Sequence, residues 1–342
     1  MRASGAGPRR ASLLRFILGA GAGLLLAAPG VAQEPRTPSA VQLPPESPES
    51  YLGFRPGEDR QVVDWGQVTG YLEDLARSSA RVRIDTIGRS TLDRPLVLVT
   101  VTDTANQADL DAILAAQARM ADPRTIQDDA ERSRLIRSGR PLVLNPSAIH
   151  PPEVGGSLVP LPLAYRLATA NDPEILTVRR ECVVLIGPSV NPAGVDIVAD
   201  WYRESLGMPW EGTPPPALYH HYTGHDNNRD WYSLTQVETR AVVERVYNVW
   251  HPQVVHDIHQ QGSNGSRYFV PPWRDPIEPN VDPILVAATN SLGSAVAWDL
   301  VREGKRGVVV NADYDAWSPA RAYAHYHGAV RILSETAGAR LA

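Results

Sequence analysis

His150 and Glu153 are the residues of this chain whose types and spacing most clearly allow metal chemistry. They follow an apolar run, 141–149, whose composition predicts a buried strand. His259 lies far along the chain, in a second apolar segment. Two imidazole nitrogens and one carboxylate can bind zinc and leave the fourth position of a tetrahedral ion open to water. We therefore predict a site for one zinc ion per chain, with His150, Glu153 and His259 as its ligands.

Glu335 offers the base that such a site needs. It is a lone carboxylate in an apolar segment, 329–336, which is predicted to be the last strand. A carboxylate in an apolar strand is costly unless it is paired or has a function. Beside zinc, a glutamate can take a proton from the attacking water. The sequence thus predicts a zinc hydrolase with Glu335 as general base; an ion-paired strand residue is the alternative for this position.

The strand around His259 contains a second functional candidate. Asp257 and His259 are two residues apart, so a strand directs both side chains to the same face, while His256 points to the other. Asp257 can therefore orient the ligand from behind. The alternative is that His256, rather than His259, faces the metal.

Four more residues are candidates for contacts with a substrate. Asn228 and Arg229 lie in a polar segment before a predicted helix, and Arg229 has the planar guanidinium that matches a carboxylate. Arg203 follows the segment 191–194 and is a candidate for stabilising an oxyanion. Tyr314 is a candidate for a specificity pocket, with ordinary packing as its alternative. For both arginines, the alternative is a surface position.

The predicted elements bring the zinc ligands and Glu335 to one edge of a sheet. Apolar strands at 142–149 and 182–186, with a helix at 157–170 between them, predict a buried and mostly parallel sheet. The other predicted elements are a hairpin of strands at 82–88 and 96–101, strands at 254–259, 307–311 and 329–336, and helices at 63–78, 110–120, 235–250, 283–303 and 318–328. These residues fall at or just after the carboxyl ends of strands, where open α/β sheets form their sites.

Composition narrows the class of protein. The chain has 342 residues, 43% of them hydrophobic, which suffices for one large α/β domain. Its net charge is −5 and no basic cluster follows the N-terminus, so we expect no nucleic-acid partner. Cys182 is the only cysteine, so neither an intramolecular disulfide nor a cysteine-based metal site can form. The glycine-rich run 19–23 does not follow a strand, and we expect no nucleotide.

The N-terminus has the pattern of an export signal. Four arginines precede the apolar run 16–28, and small residues then predict cleavage after Ala32. We predict a signal peptide over 1–32, a flexible Pro-rich leader over 33–50 and a catalytic domain over 51–342. The mature protein is then periplasmic or secreted, and no stable membrane partner is expected. An uncleaved membrane anchor is the alternative.

Taken in order along the chain, these motifs resemble the zinc carboxypeptidase family of metallopeptidases, in particular its bacterial, secreted branch. The resemblance covers roughly residues 50–342 and rests on the following ordered set: His150-x-x-Glu153, Asn191-Pro-Ala-Gly194, Asn228-Arg229, His259 and Glu335. It implies a mixed, mostly parallel eight-stranded sheet between helices. It also implies that Asn228 and Arg229 hold the substrate's terminal carboxylate and that Arg203 polarises the scissile carbonyl. The expected partners are the C-termini of peptides or proteins, or other amide substrates that bear a carboxylate.

The chain departs from the family pattern in three places. Pro151-Pro152 separates the first two ligands, so side-chain preferences do not transfer. Tyr314 is an insecure counterpart of the family's active-site tyrosine. Family domains continue with a helix after the last strand, so we expect a C-terminally truncated domain that lacks this helix. A zinc amidohydrolase acting on peptidoglycan stem peptides or N-acyl amino acids is the alternative function, followed by a non-catalytic binding module.

Overall fold

The computed structural model describes residues 44–220, 224–313 and 318–338. Tyr314, the predicted signal peptide and most of the predicted leader lie outside the described residues. The first described helix, Pro48–Leu52, begins three residues before the predicted start of the catalytic domain at Tyr51. Tyr71 ties this segment to the next helix, because its hydroxyl donates a hydrogen bond to the Glu46 carbonyl at 3.1 Å.

Eight strands form one mixed sheet, as the family resemblance predicts. The strands are β1 (Val82–Arg89), β2 (Pro95–Val101), β3 (Leu142–Pro146), β4 (Val183–Gly187), β5 (Val254–Gln261), β6 (Tyr268–Phe269), β7 (Val308–Val309) and β8 (Val330–Ala337). Their order across the sheet is β1-β2-β4-β3-β5-β8-β6-β7. The four central strands β4, β3, β5 and β8 run parallel to one another, and β6 and β7 are also parallel. The pairs β1–β2, β2–β4 and β6–β8 are antiparallel.

Helices cover both faces of the central strands. The α-helices are α1 (Pro48–Leu52), α2 (Trp65–Ser78), α3 (Thr104–Ala108), α4 (Leu110–Ala121), α5 (Asp129–Ser138), α6 (Val154–Leu158), α7 (Pro160–Thr169), α8 (Pro173–Glu181), α9 (Pro192–Ser205), α10 (Val237–Val242, a π-helical turn Val243–Tyr247, and Asn248–Trp250), α11 (Pro283–Arg302) and α12 (Pro319–Tyr326). One core packs α2 and α7 against β2 and β4, and the other packs α4 and α10 against β3, β4 and β5. Side chains of a strand alternate between the two faces, so the continuous apolar runs of β2 to β4 are buried on both sides.

Several elements differ from their predicted bounds. The strand predicted to reach Ile149 ends at Pro146, and the helix predicted from 157 begins at Val154. The intervening residues therefore leave the strand and form the loop that carries His150 and Glu153. Helices α5, α8 and α9 were not predicted, because their polar outer faces weaken the apolar periodicity.

Helix α11 differs from the other helices in its surroundings. Among the described helices it alone is long and apolar enough to cross a membrane, judged by length and composition. Only Thr289 and Gly293 of this helix are buried, while Ile284 and Trp298 are 72% and 70% exposed. The functional site lies on other elements, namely the carboxyl ends of the central parallel strands.

Candidate metal centre

A strained turn places the first two predicted ligands. The chain leaves β3 through Ala148, whose φ of 46° lies in the left-handed region that non-glycine residues seldom adopt. Helix α6 then packs directly on this turn, since a Cβ on Gly156 would lie 2.7 Å from the Ala148 nitrogen. Only glycine allows this approach. The turn and the helix together hold His150 and Glu153 at the end of β3.

His259 reaches the same place from the neighbouring strand β5. It is 3% exposed, and the alternation along β5 puts Asp257 and His259 on one face. His256 points to the opposite face, where its Nε2 lies 2.9 Å from the Ser334 hydroxyl. The structure therefore places His259, rather than His256, beside Glu153.

The three predicted ligands converge on one point. The Glu153 carboxylate lies between two imidazole rings: its Oε1 is 2.6 Å from His150 Nδ1, and its Oε2 is 3.1 Å from His259 Nδ1. Ligand atoms of all three residues lie within 4.8 Å of one another. The main-chain N–H of Gln260 donates to Glu153 Oε2 at 2.9 Å and fixes the carboxylate further. The same two ring nitrogens and one carboxylate thus face a common centre.

Electrostatics around this centre favour protons on the two imidazoles. Burial alone would lower the pKa of His150, but hydrogen bonds to Asp226 and Glu153 raise this pKa to about 9. Burial also opposes the charged form of His259, but Asp257 and Glu153 raise its pKa to about 10. Burial alone would raise the pKa of Glu153, whereas its hydrogen bonds to the two histidines lower it. The Glu153 carboxylate is therefore an anion that lies between two imidazoles with raised pKa values.

This donor set fits zinc. Zinc binds imidazole nitrogen and carboxylate oxygen in proteins, and a catalytic site with three such ligands keeps a further position for water or substrate. A divalent cation would replace the protons that now join Glu153 to His150 and His259. Residues His150, Glu153 and His259 would hold the ion, two through Nδ1 and one through its carboxylate.

Asp226 supports His150 from the side away from Glu153. Its Oδ2 lies 3.2 Å from His150 Nε2, and its Oδ1 lies 3.4 Å from Nε2 of the buried His220. Asp226 also caps the 3₁₀ turn Asn227–Arg229, since its Oδ1 accepts a hydrogen bond from the Asn228 N–H at 2.8 Å. A carboxylate behind a metal-binding histidine fixes the ring's orientation and tautomer. Asp226 was not predicted from the sequence, although its position two residues before Asn228 was a usable signal.

Asp257 contacts His259, the residue that it is predicted to orient. Its Oδ1 lies 3.2 Å from His259 Nε2, and its Oδ2 accepts a hydrogen bond from Arg331 on β8. Burial alone would raise the pKa of Asp257, but His259 and Arg331 lower it well below the ordinary carboxyl range. Arg331 was also missed. The sequence signal for Arg331 is the same as for Glu335: each is a charged residue within an apolar strand.

Glu335 lies beside the three ligands. It is aligned with His259 across the parallel pair β5–β8, so both side chains leave the sheet on the same face. Burial raises the pKa of Glu335; the nearby Glu153 adds to the increase, while His259 and Arg321 counteract it. A half-buried carboxylate with a raised pKa beside a metal site has the properties of a general base.

Asn228 and Arg229 lie in the 3₁₀ turn Asn227–Arg229, next to His150. The Asn228 side-chain amide is 3.5 Å from His150 Nε2 and is buried. Arg229 is exposed, and its guanidinium donates one hydrogen bond, at 3.2 Å, to the Asn228 carbonyl. Asp230 fixes the end of this turn from within the core, since it accepts hydrogen bonds from the Thr235 and Gln236 N–H groups. The turn thus presents Arg229 outward from a rigid base.

The structure does not bring Arg203 to the centre, which corrects the prediction for this residue. Arg203 lies in the last turn of α9, a helix whose first turn lies near the site, where a Cβ on Gly194 would lie 2.6 Å from Pro151. Nine residues of helix, at about 1.5 Å each, separate Arg203 from Gly194, so Arg203 lies roughly 14 Å along the helix from that contact. There it binds Asp64 and Gln67, at 2.9 Å each, at the start of α2. Arg203 therefore joins two helices.

Comparisons with known proteins agree with this fold. A family model described as zinc carboxypeptidase matches residues 68–269, which is more than half of the chain. Carboxypeptidase A from Helicoverpa armigera is similar in structure, with a TM-score of 0.58 and 15% identity over 86% of this chain and 71% of that chain. Bovine thrombin-activatable fibrinolysis inhibitor, in a complex with tick carboxypeptidase inhibitor, has a TM-score of 0.51 and 12% identity over 81% and 86% of the respective chains.

A further structure, also described as thrombin-activatable fibrinolysis inhibitor, has a TM-score of 0.53 and 13% identity, and the match covers 81% of this chain and 66% of that chain. At these identities the likeness establishes the fold. A search of curated protein sequences finds no match.

Proposed function

The chain belongs to the zinc carboxypeptidase family, and from that premise we propose that it is a zinc-dependent metallocarboxypeptidase. It would remove C-terminal residues from peptides or proteins. One observation carries the proposal: His150, Glu153 and His259 converge within 4.8 Å of one another, and Glu335 is aligned with His259 on the next strand. The predicted export signal leads us to propose further that it acts in the periplasm or outside the cell.

The mechanism follows from the positions of the chain's own residues. When bound, zinc supplies a Lewis acid that polarises a carbonyl and lowers the pKa of water. Glu335 takes a proton from the attacking water, because its carboxylate lies on the same face as His259. Glu335 then passes this proton to the amine that leaves. Its raised pKa makes the carboxyl a better proton carrier near neutral pH than an exposed glutamate would be.

Arg229 determines the kind of substrate in this proposal. Its guanidinium is exposed at the rim, where it donates a hydrogen bond to the main-chain carbonyl of Asn228. A planar guanidinium can therefore form a bidentate pair with the terminal carboxylate of a peptide. The buried Asn228 amide lies 3.5 Å from His150 Nε2 and would orient the same end of the substrate.

The test is a mixed peptide library, incubated with the purified protein and read by mass spectrometry. The protein is used as purified, after chelation, and after zinc is returned. We expect loss of single C-terminal residues that stops on chelation and resumes with zinc. Zinc binding without cleavage of any peptide would exclude a general carboxypeptidase and favour the alternative amidohydrolase, which small N-acyl amino acids and stem peptides would then test. Absence of both zinc and cleavage would contradict the proposal.

A further inference from the structure

We propose that Asp257 and Arg331 are positioning residues, a buried pair that fixes the His259 ring for zinc. This inference rests on the proposed zinc site. Asp257 contacts His259 with one carboxylate oxygen and Arg331 with the other. His259 and Arg331 are 3% and 4% exposed.

The strand register brings these residues together. β5 and β8 are parallel, and Val255 is aligned with Arg331. Because side chains alternate along each strand, Asp257 and His259 on β5 share a face with Arg331 and Glu335 on β8. Arg331 therefore lies on the side of Asp257 away from the metal centre, and Glu335 lies at the open end beside His259.

The chemistry of imidazole explains what this pair does. A neutral ring that binds a metal through Nδ1 must carry its proton on Nε2, and a carboxylate that accepts from Nε2 selects this tautomer. Asp257 Oδ1 lies 3.2 Å from His259 Nε2, and the Arg331 guanidinium binds the other carboxylate oxygen. Arg331 therefore holds the Asp257 carboxylate so that it faces the Nε2 side of the His259 ring.

The other ligand histidine is oriented by different groups. Asp226 contacts His150 Nε2, but it also accepts from the Asn228 N–H and lies near His220. Asp226 is therefore held by a turn, whereas Asp257 is held by a buried cation. Changes at Arg331 should then affect the zinc site only through Asp257 and His259.

The first variant is Asp257→Asn, with zinc affinity measured by competition with a chromophoric chelator. We expect affinity to fall roughly 10- to 100-fold, the usual cost of losing an outer partner of a metal-binding histidine. Ser334→Ala is the matched control, since Ser334 contacts His256 on the opposite face of the same two strands. Its zinc affinity should equal that of the parent. Parent-like affinity in Asp257→Asn would overturn the proposal.

A double variant separates positioning from a purely structural ion pair. Asp257→Asn leaves the buried cation without its carboxylate, so stability falls too; adding Arg331→Met removes that cation. We expect thermal stability to recover in the double variant while zinc affinity stays low. If zinc affinity recovered together with stability, the pair would be structural and the inference wrong.

These measurements of zinc affinity and stability need no peptide substrate, so their results do not depend on the proposed activity. A parent protein that binds zinc but cleaves nothing would contradict the carboxypeptidase proposal and leave this inference standing. A parent that cleaves peptides but whose zinc affinity does not depend on Asp257 would contradict this inference alone. A parent that binds no zinc would contradict both.

Discussion

The two sides of the site differ in how firmly the fold holds them. On the metal side, Glu153 accepts hydrogen bonds from two imidazoles and a main-chain N–H, and His259 is almost fully buried. On the substrate side, Arg229 is exposed with one hydrogen bond to its neighbour's carbonyl, and Glu335 is only half-buried. On the metal side the charged groups are paired with other groups of the protein, whereas on the substrate side they face the solvent.

This difference agrees with the proposed functions of the two sides, metal binding and substrate binding. A metal site must be assembled before the ion arrives, because ligands that move would lose affinity to conformational entropy. A substrate-binding arginine gains more if its partner comes with the substrate, since a pre-existing carboxylate partner would have to be displaced. The comparison therefore predicts that changes on the metal side abolish zinc binding, while changes on the substrate side affect only the reaction.

The largest effect is expected from His150→Ala. This variant removes one of three ligands, so zinc affinity should fall by more than the roughly 10- to 100-fold that loss of an outer partner costs. Chelator competition measures the affinity, and peptide cleavage should disappear at ordinary zinc concentrations. His327→Ala, which changes an exposed histidine on another element, is the control. Equal zinc affinity in both variants would exclude His150 as a ligand.

Glu335→Gln should lower the rate of cleavage while leaving zinc binding intact, and so distinguish the two sides most clearly. General acid–base catalysis contributes typically 10²- to 10⁴-fold, so kcat should fall by about that factor. Zinc affinity should stay within about threefold of the parent, since Glu335 is not among the converging ligands. Single-turnover peptide cleavage and chelator competition on the same samples measure the two quantities. Unchanged turnover would show that another group activates the water.

Zinc binding should also depend steeply on pH. In the metal-free protein the pKa values of His150 and His259 are raised to about 9 and about 10, so both rings are protonated at neutral pH. Zinc must displace these protons, so affinity should rise with pH, by roughly tenfold per unit for each proton released. Calorimetry in buffers of different ionisation enthalpy should count about two protons released per zinc. Release of none would mean that the imidazoles are already neutral.

On the substrate side, Arg229→Met should weaken binding without disturbing the metal. Hydrogen bonds to charged groups contribute about 1.5–3 kcal/mol, so kcat/KM for a peptide with a free C-terminus should fall roughly 10- to 100-fold. A peptide amidated at its C-terminus is the internal control. It should be a poor substrate for the parent, and Arg229→Met should make it little worse. An equal loss with both peptides would mean that Arg229 does not recognise the carboxylate.

The metal side was also the more predictable from sequence. His150 and Glu153 follow a buried strand closely, so the strand pattern alone fixes their place at the sheet edge. Their outer partners were harder to find, since Asp226 comes from a separate turn and Arg331 from a strand that becomes adjacent to β5 only in the folded sheet. The position of Arg203 was hard to predict for a related reason. Its role was proposed because it follows the segment 191–194 and from the family resemblance, but the intervening residues form a helix that carries it to Asp64 and Gln67.

Arg203→Met should therefore have the smallest effect, and it is the matched counterpart of Arg229→Met. Arg203 pairs with Asp64, which caps the start of α2, and its side chain is 38% exposed. Such a pair contributes about 0–1 kcal/mol, so thermal unfolding should shift by only a few degrees. Zinc affinity and kcat/KM should stay within about twofold of the parent, because no described contact links Arg203 to the ligands. A large loss of kcat with normal folding would restore Arg203 to the catalytic role implied by the family resemblance, and would require α9 to shift when substrate binds.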